Sequence, residues 1–363
     1  MDPFFATLGQ GVLSRWRDCN FDPAAFSQIA RTLLEERPPF EHVDVSDLIR
    51  EFLLSDAQPP QSQSGFGQPE LVVFEDPRFY IQLLFWLDGS TDIHQHEFSG
   101  AFHVLEGSSI HSRFEFQNAR SVSARMRVGD LKMVATELLE TGRTLEIESG
   151  RGFIHSLFHL ETPSITVVVR TQTDPGTGPQ FTYLPPHLAV DPFFQDSLTN
   201  RRKQLLDVLE AIGDPGYAGM VAEMLRELDF ERGFFILQNC VLALRGGGEW
   251  DEVWEVFAGR HGPLAGLVLP TIEEILRRDA LVALRGSVTE VEHRFFLALL
   301  LNVPDASQIY RMVGERFSEP AEATLRRWVG ELAESGVEDS GLVALALRGV
   351  GLGGLVKVER RIS

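Results

Sequence analysis

Apolar positions fall into three regimes along the chain. In residues 1 to about 56 they recur at helical spacing, as Phe26, Ile29, Leu33 and Leu34 within 24–36 and as Leu48, Ile49, Phe52 and Leu53 within 44–54. Asp22-Pro23 and Ser46-Asp47 supply the start signals. The Pro, Gln, Ser and Gly stretch 57–65 cannot bury a core and reads as a linker, which bounds a helical segment at residues 1–66. From 67 to 190 the pattern shortens to β-rich runs, among them 71–74, 79–87, 94–96, 101–105, 110–116, 121–128, 131–138, 143–147, 153–160 and 164–171. Turns such as Glu106-Gly107 and Gly129-Asp130 separate them, and this rhythm predicts a sandwich or barrel rather than βαβ units.

In the third regime, 191–363, helical spacing returns. Asp214-Pro215-Gly216, Gly246-Gly247-Gly248, Pro270 and Glu319-Pro320 mark the expected joints. The helices suit either a HEAT-like solenoid or a compact all-α domain, and no repeat consensus selects between them. The fold class is therefore α+β: a central β-barrel at 67–190, an N-terminal helical segment and a C-terminal all-α domain.

Charge removes several functions. With 33 basic against 52 acidic residues the formal net charge is -19, which repels phosphate backbones and anionic membrane surfaces, so no nucleic-acid or membrane partner is expected. The run 295–301 is too short to span a bilayer. Cys19 and Cys240 can form neither a disulfide framework nor a thiolate cluster, and no leader pattern opens the chain, so a cytoplasmic setting is expected. The clusters Arg201-Arg202-Lys203 and Arg360-Arg361 read as a solvated helix face and a charged tail.

The candidate chemistry lies in two runs, Ile93-His94-Gln95-His96 and Phe153-Ile154-His155-Ser156-Leu157-Phe158-His159. Residues i and i+2 of a strand share a face, so His94 and His96 converge about 6–7 Å apart along it, as cis ligands of one metal require. His155 supplies a third imidazole, and His159 shares its face on a regular strand.

These runs resemble the two motifs of the cupin superfamily. The first, G-x5-H-x-H-x3,4-E-x6-G, is matched in spacing from His94 onward by His96, Gly100 and Gly107, with Gly89 four rather than five residues before His94 and Gly100 in the position of the usual glutamate ligand. The second, G-x5-P-x-G-x2-H-x3-N, corresponds to Gly150, Gly152, His155 and His159, with Gly150 in the Pro position and His159 in the Asn position. A cupin-type barrel is thereby implied, and the missing glutamate leaves three histidines, as in the cysteine dioxygenase branch of thiol dioxygenases. The strand and turn 79–96 are also similar to that branch. Its Ser-x-His-x-Tyr relay aligns here with Thr166, Val168 and Arg170, and residues 67–71 lack its carboxylate-binding arginine. The resemblance thus implies a metal site without implying cysteine as substrate.

Three neutral imidazoles leave a divalent ion with its full charge and with open positions for a bidentate small-molecule substrate and dioxygen. Fe(II) is the expected metal, and Zn(II), Ni(II) or Mn(II) suit the same ligands. His159 reads as a fourth ligand, a hydrogen-bond partner, an acid-base group or a satisfied core histidine. Arg170 would anchor a carboxylate or phosphate if it faces inward and is a surface cation if outward. Tyr80, Gln82 and Tyr183 either orient substrate or pack across strands. His103 is expected to face away from the site, and alternation does not orient His111. The expected function is a mononuclear non-haem iron dioxygenase acting on a small molecule, with a thiol as the nearest substrate class. The alternative is a cupin platform for binding or scaffolding, whose helical domain recognises a protein or peptide.

Overall fold

The computed structural model describes residues 3–61, 66–87, 89–194, 196–303, 305–334, 347 and 351–353. Arg360 and Arg361 lie outside the described residues. Helices α1 (Pro3–Asp18), α2 (Pro23–Glu36) and α3 (Val45–Leu54) open the chain. Asp22 caps α2 by accepting from the Ala24 amide, and Asp44, rather than Ser46, caps α3 by accepting from that of Asp47.

Among the described residues eleven strands follow: β1 (Glu70–Asp76), β2 (Phe79–Trp86), β3 (His94–His96), β4 (Gly100–Glu106), β5 (Ser108–Ser121), β6 (Met126–Glu140), β7 (Thr144–Ile147), β8 (Gly150–His159), β9 (Ser164–Thr171), β10 (Thr182–Leu184) and β11 (Leu188–Val190). They form a sheet in the order β1-β2-β9-β4-β7 and a closed barrel in the order β10-β11-β6-β5-β8-β3. One expected division disappears, because β6 runs through Gly129-Asp130. Gly129 donates its amide to His187 O, and its missing side chain admits Phe116 and the Gln117 carbonyl, so this glycine serves a close approach rather than a turn.

The C-terminal helices are α4 (Ser197–Ala211), α5 (Tyr217–Glu227), α6 (Phe230–Gly247), α7 (Trp250–His261), α8 (Ala265–Ser287), α9 (Val291–Asn302), α10 (Ala306–Arg316) and α11 (Ala321–Glu334). Pro270 lies inside α8 instead of ending a helix. None of the described helices is long and apolar enough to cross a membrane.

The chain divides into two compact units, one of residues 1–114, 133–180 and 277–363, the other of 115–132 and 181–276. The second has its own core, in which Met126, Val128 and Leu188 pack with Phe234, Leu237, Val241 and Phe257.

The first unit holds the candidate site, and its sheet is covered on both faces. Phe79, Ile81, Leu83 and Phe85 of β2 and Ile165, Val167 and Val169 of β9 pack against α1–α3, in a core with Phe5, Trp16 and Phe26. The alternate residues, Leu84 and Trp86 with Val168, join Phe98, Phe102 and Phe153 on the barrel side. Burial on both faces explains why β2 reads as an unbroken apolar run.

Helix α9 is buried from Arg294 to Asn302, as expected of a helix apolar all round. Arg277 and Arg278 donate to the Leu300 and Leu301 carbonyls and so cap its C-terminal end. Two further arginines hold the end of β8: Arg285 donates through Nε and Nη2 to His159 O, and Arg294 to Leu160 O.

Candidate metal centre

His94 pairs with His155 across β3 and β8, the pairing shifts register between His94 and His96, and the two-residue repeat of β3 puts the His96 ring on the same face as that of His94. The rings of His94 and His96 stack at 4.7 Å between centroids, and His155 lies 4.7 Å from His94 and 5.0 Å from His96. One ligand atom from each falls within 4.8 Å of the others, and all three residues are buried.

Hydrogen bonds decide which nitrogens are available. His94 Nδ1–H donates to the Asp92 carbonyl at 2.8 Å, which leaves the lone pair on Nε2, a buried atom without a partner. A longer chain fixes His155. Its Nδ1 lies 3.1 Å from His111 Nε2, and His111 Nδ1 lies 3.3 Å from Glu137 Oε1. The His111 hydrogen bond holds the Glu137 carboxyl below its usual range, so it is an ionised acceptor. Neutral His111 must then carry its proton on Nδ1 and accept at Nε2 from His155 Nδ1–H. The lone pair of His155 is left on Nε2, also buried and unpartnered. Burial lowers the pKa of all three rings, keeping them in the neutral form that binds metal. The donor set, its burial and its unpartnered nitrogens therefore fit a divalent transition metal.

The rings edge a cavity of about 40 Å³, walled mainly by apolar side chains including Leu84, Trp86, Phe98, Phe102 and Leu157. Thr166 and Val168 also line it, on the strand positions singled out in the sequence. Gly100, at the start of β4, is paired with Arg170 of β9 and Ile147 of β7. A Cβ there would stand 3.0 Å from Arg170 Cα and collide with the Val169 carbonyl, while the Gly100 amide donates to Ser27 Oγ of α2. Backbone fills the space that a glutamate at this position would need.

The remaining candidates are placed around the cavity. His159 stacks on Trp86 at 4.7 Å, with Nδ1 2.8 Å from Ser109 Oγ and Nε2 buried without a partner. It is not one of the three converging histidines. Tyr80 and Arg170 are paired across β2 and β9. The Arg170 guanidinium donates to the carbonyls of Thr171 and Gln172 and lies over the rings of Phe98 and Tyr80. His103 faces the helices, bonded to Thr144 Oγ1 and stacked on Phe40. His111 and Glu137 were not legible as part of the site, because only the strand arrangement brings β6 to β5 and β5 to β8.

No family model matches the chain, and no curated protein sequence matches it. Solved structures do. A cupin-2 domain containing protein from Shewanella frigidimarina shares 14% identity over 36% of this chain and 96% of its own, with a TM-score of 0.22. Hydroquinone 1,2-dioxygenase from a Sphingomonas species, solved with 4-hydroxybenzoate, shares 10% over 28% and 65%, with a TM-score of 0.22. The capsular polysaccharide assembling protein CapF from Staphylococcus aureus shares 16% over 43% and 44%, with a TM-score of 0.26. The solved structures it resembles include cupins. Overlaps this slight say nothing about metal or substrate, which rest on the side chains described above.

Burial also makes the first unit sensitive to acid. His103 is lowered to about 4 by burial between α2 and β4, and His159 to about 3 by burial and then by Arg285. The unfolded chain protonates such groups near pH 6.5, so between that value and the folded pKa it binds more protons than the native state. Their stabilisation is present above about pH 6.5 and is lost as pH falls through 4 and then 3. The urea midpoint of the wild type is expected to fall relative to that of His103→Gln between pH 7 and pH 4. A difference that stays constant over this range would refute the assignment for His103.

Proposed function

We propose that this protein is a metal-dependent dioxygenase of the cupin type, with a mononuclear centre held by His94, His96 and His155. Fe(II) is the proposed metal, and the substrate is a small molecule, with a thiol as the class implied by the resemblance. The supporting observation is the convergence of three buried imidazoles with His94 Nε2 and His155 Nε2 left without partners. An empty buried donor is costly unless a ligand completes it.

Bound iron would supply open coordination positions where a substrate donor and dioxygen meet. The chain's own contribution is to hold the donors and exclude water. Asp92 and the Glu137–His111 pair aim His94 and His155. Trp86, Phe98 and Phe102 keep the cavity apolar. His159, Tyr80 and Arg170 enter this reading as positioning residues: His159 backs Trp86, and Arg170 bridges Phe98 and Tyr80 at one edge of the wall.

The test is elemental analysis of protein purified without added metal and again after anaerobic Fe(II) addition, followed by oxygen uptake across small thiols. Close to one equivalent of iron and thiol-dependent oxygen consumption are expected. Retention of less than roughly a tenth of an equivalent after iron addition would sink the reading. It would leave the barrel as a binding platform.

A further inference from the structure

Gln82 lies in the middle of β2, opposite Val168 of β9, on the same sheet face as Leu84 and Trp86. It lines the same cavity as the three histidines, is 2% exposed, and its Oε1 is buried without a hydrogen-bond partner. The neighbouring polar oxygens of the lining are already engaged. Thr166 Oγ1 accepts from Trp86 Nε1 at 3.3 Å, and Thr91 Oγ1 accepts from the Leu157 amide at 2.8 Å. Among the described residues that line the cavity, none is Asp, Glu, Lys or Arg. The nearby cation, Arg170, does not line the cavity: its Nε and Nη2 donate to the Thr171 and Gln172 carbonyls and it lies 3.4 Å over the Phe98 ring.

We propose that this cavity takes a small, uncharged ligand with an apolar body and one hydroxyl donor, which Gln82 Oε1 receives. This deepens the metal-centre reading and rests on it. A carboxylate or ammonium at the end of the ligand remote from the metal would lose its hydration against aromatic and aliphatic walls and gain no counter-ion. A neutral donor instead completes Gln82 Oε1, a buried acceptor without a partner in the wall. The size of the cavity, about 40 Å³, restricts the ligand to a few heavy atoms beside the metal.

The test uses the full chain loaded anaerobically with Co(II), with occupancy measured first. Thiols of similar length are then titrated through the thiolate-to-cobalt absorption band: 2-mercaptoethanol, ethanethiol, cysteamine and 3-mercaptopropionate. The uncharged hydroxythiol is expected to bind tightest, about tenfold above ethanethiol, which has no donor at its far end. Both charged thiols are expected to bind more weakly than either neutral one. Gln82→Met, which keeps the volume, should bring 2-mercaptoethanol down to the affinity of ethanethiol. Cobalt retained together with equal or tighter binding of either charged thiol overturns this inference alone, as does an unchanged hydroxyl preference in Gln82→Met. Failure to retain cobalt overturns the metal reading and this inference with it. The wild-type series decides the charge question even if the variant does not fold.

Discussion

His155→Ala is expected to abolish high-affinity metal binding while leaving the barrel folded. His155 is the ring that joins the other two ligands to a proton-fixing chain. It lies within 5.0 Å of His96 and 4.7 Å of His94, and its Nδ1 reaches His111 and through it Glu137. Removing it leaves two imidazoles from one short strand, too few to outcompete a chelator. Glu137→Gln gives a graded comparison. An amide can donate to His111 Nδ1 and so admit the other tautomer, which lets His155 carry its proton on Nε2, where the metal should bind. Metal affinity is then expected to fall by roughly 10- to 100-fold without complete loss. Chelator competition, with circular dichroism as the folding control, measures both. Full metal retention by His155→Ala would remove the site as drawn. Equal affinity of Glu137→Gln and wild type would make the His111 chain a packing feature.

Gly100→Ala should be among the most destabilising single substitutions in the five-stranded sheet, although alanine normally stabilises a strand relative to glycine. The added methyl meets backbone, not a side chain that can turn away: the Val169 carbonyl and, at 3.0 Å, Arg170 Cα. The strand cannot retreat easily, because the Gly100 amide donates to Ser27 Oγ, which in turn donates to the Ile147 carbonyl and ties α2 to β7. Overpacking of this kind costs roughly 3 kcal/mol or more. In a chain of this size the melting midpoint should fall by roughly 4 °C or more. A midpoint within a degree or two of wild type would show that β4 and β9 can separate freely. By the same geometry, Gly100→Glu is expected to misfold rather than to supply a fourth ligand.

Much of the site was legible because it depends on local period. His94 and His96 share a face through the two-residue repeat of a strand, and the spacing around His155 follows that of the second cupin motif. The alternation that turns His103 toward the helices also turns Phe102 and Val168 into the cavity. Local signals misled where a residue serves its surroundings rather than its own segment. Gly129 looked like a turn but makes room for a neighbouring carbonyl, and Pro270 looked like a joint but is accommodated within α8.

By itself the sequence determined the α+β succession of elements, the three histidines proposed as metal ligands, and the glycine at the position of the usual glutamate ligand. The tertiary structure decided the rest. It selected the nitrogen that His94 and His155 present, because their tautomers depend on partners up to 44 residues away. It placed Gln82 Oε1 in the cavity without a partner and turned Nε and Nη2 of Arg170 to backbone carbonyls. Strand periodicity states which side chains share a face. Hydrogen-bond completion depends on what the other strands bring to that face, and this requires the folded chain.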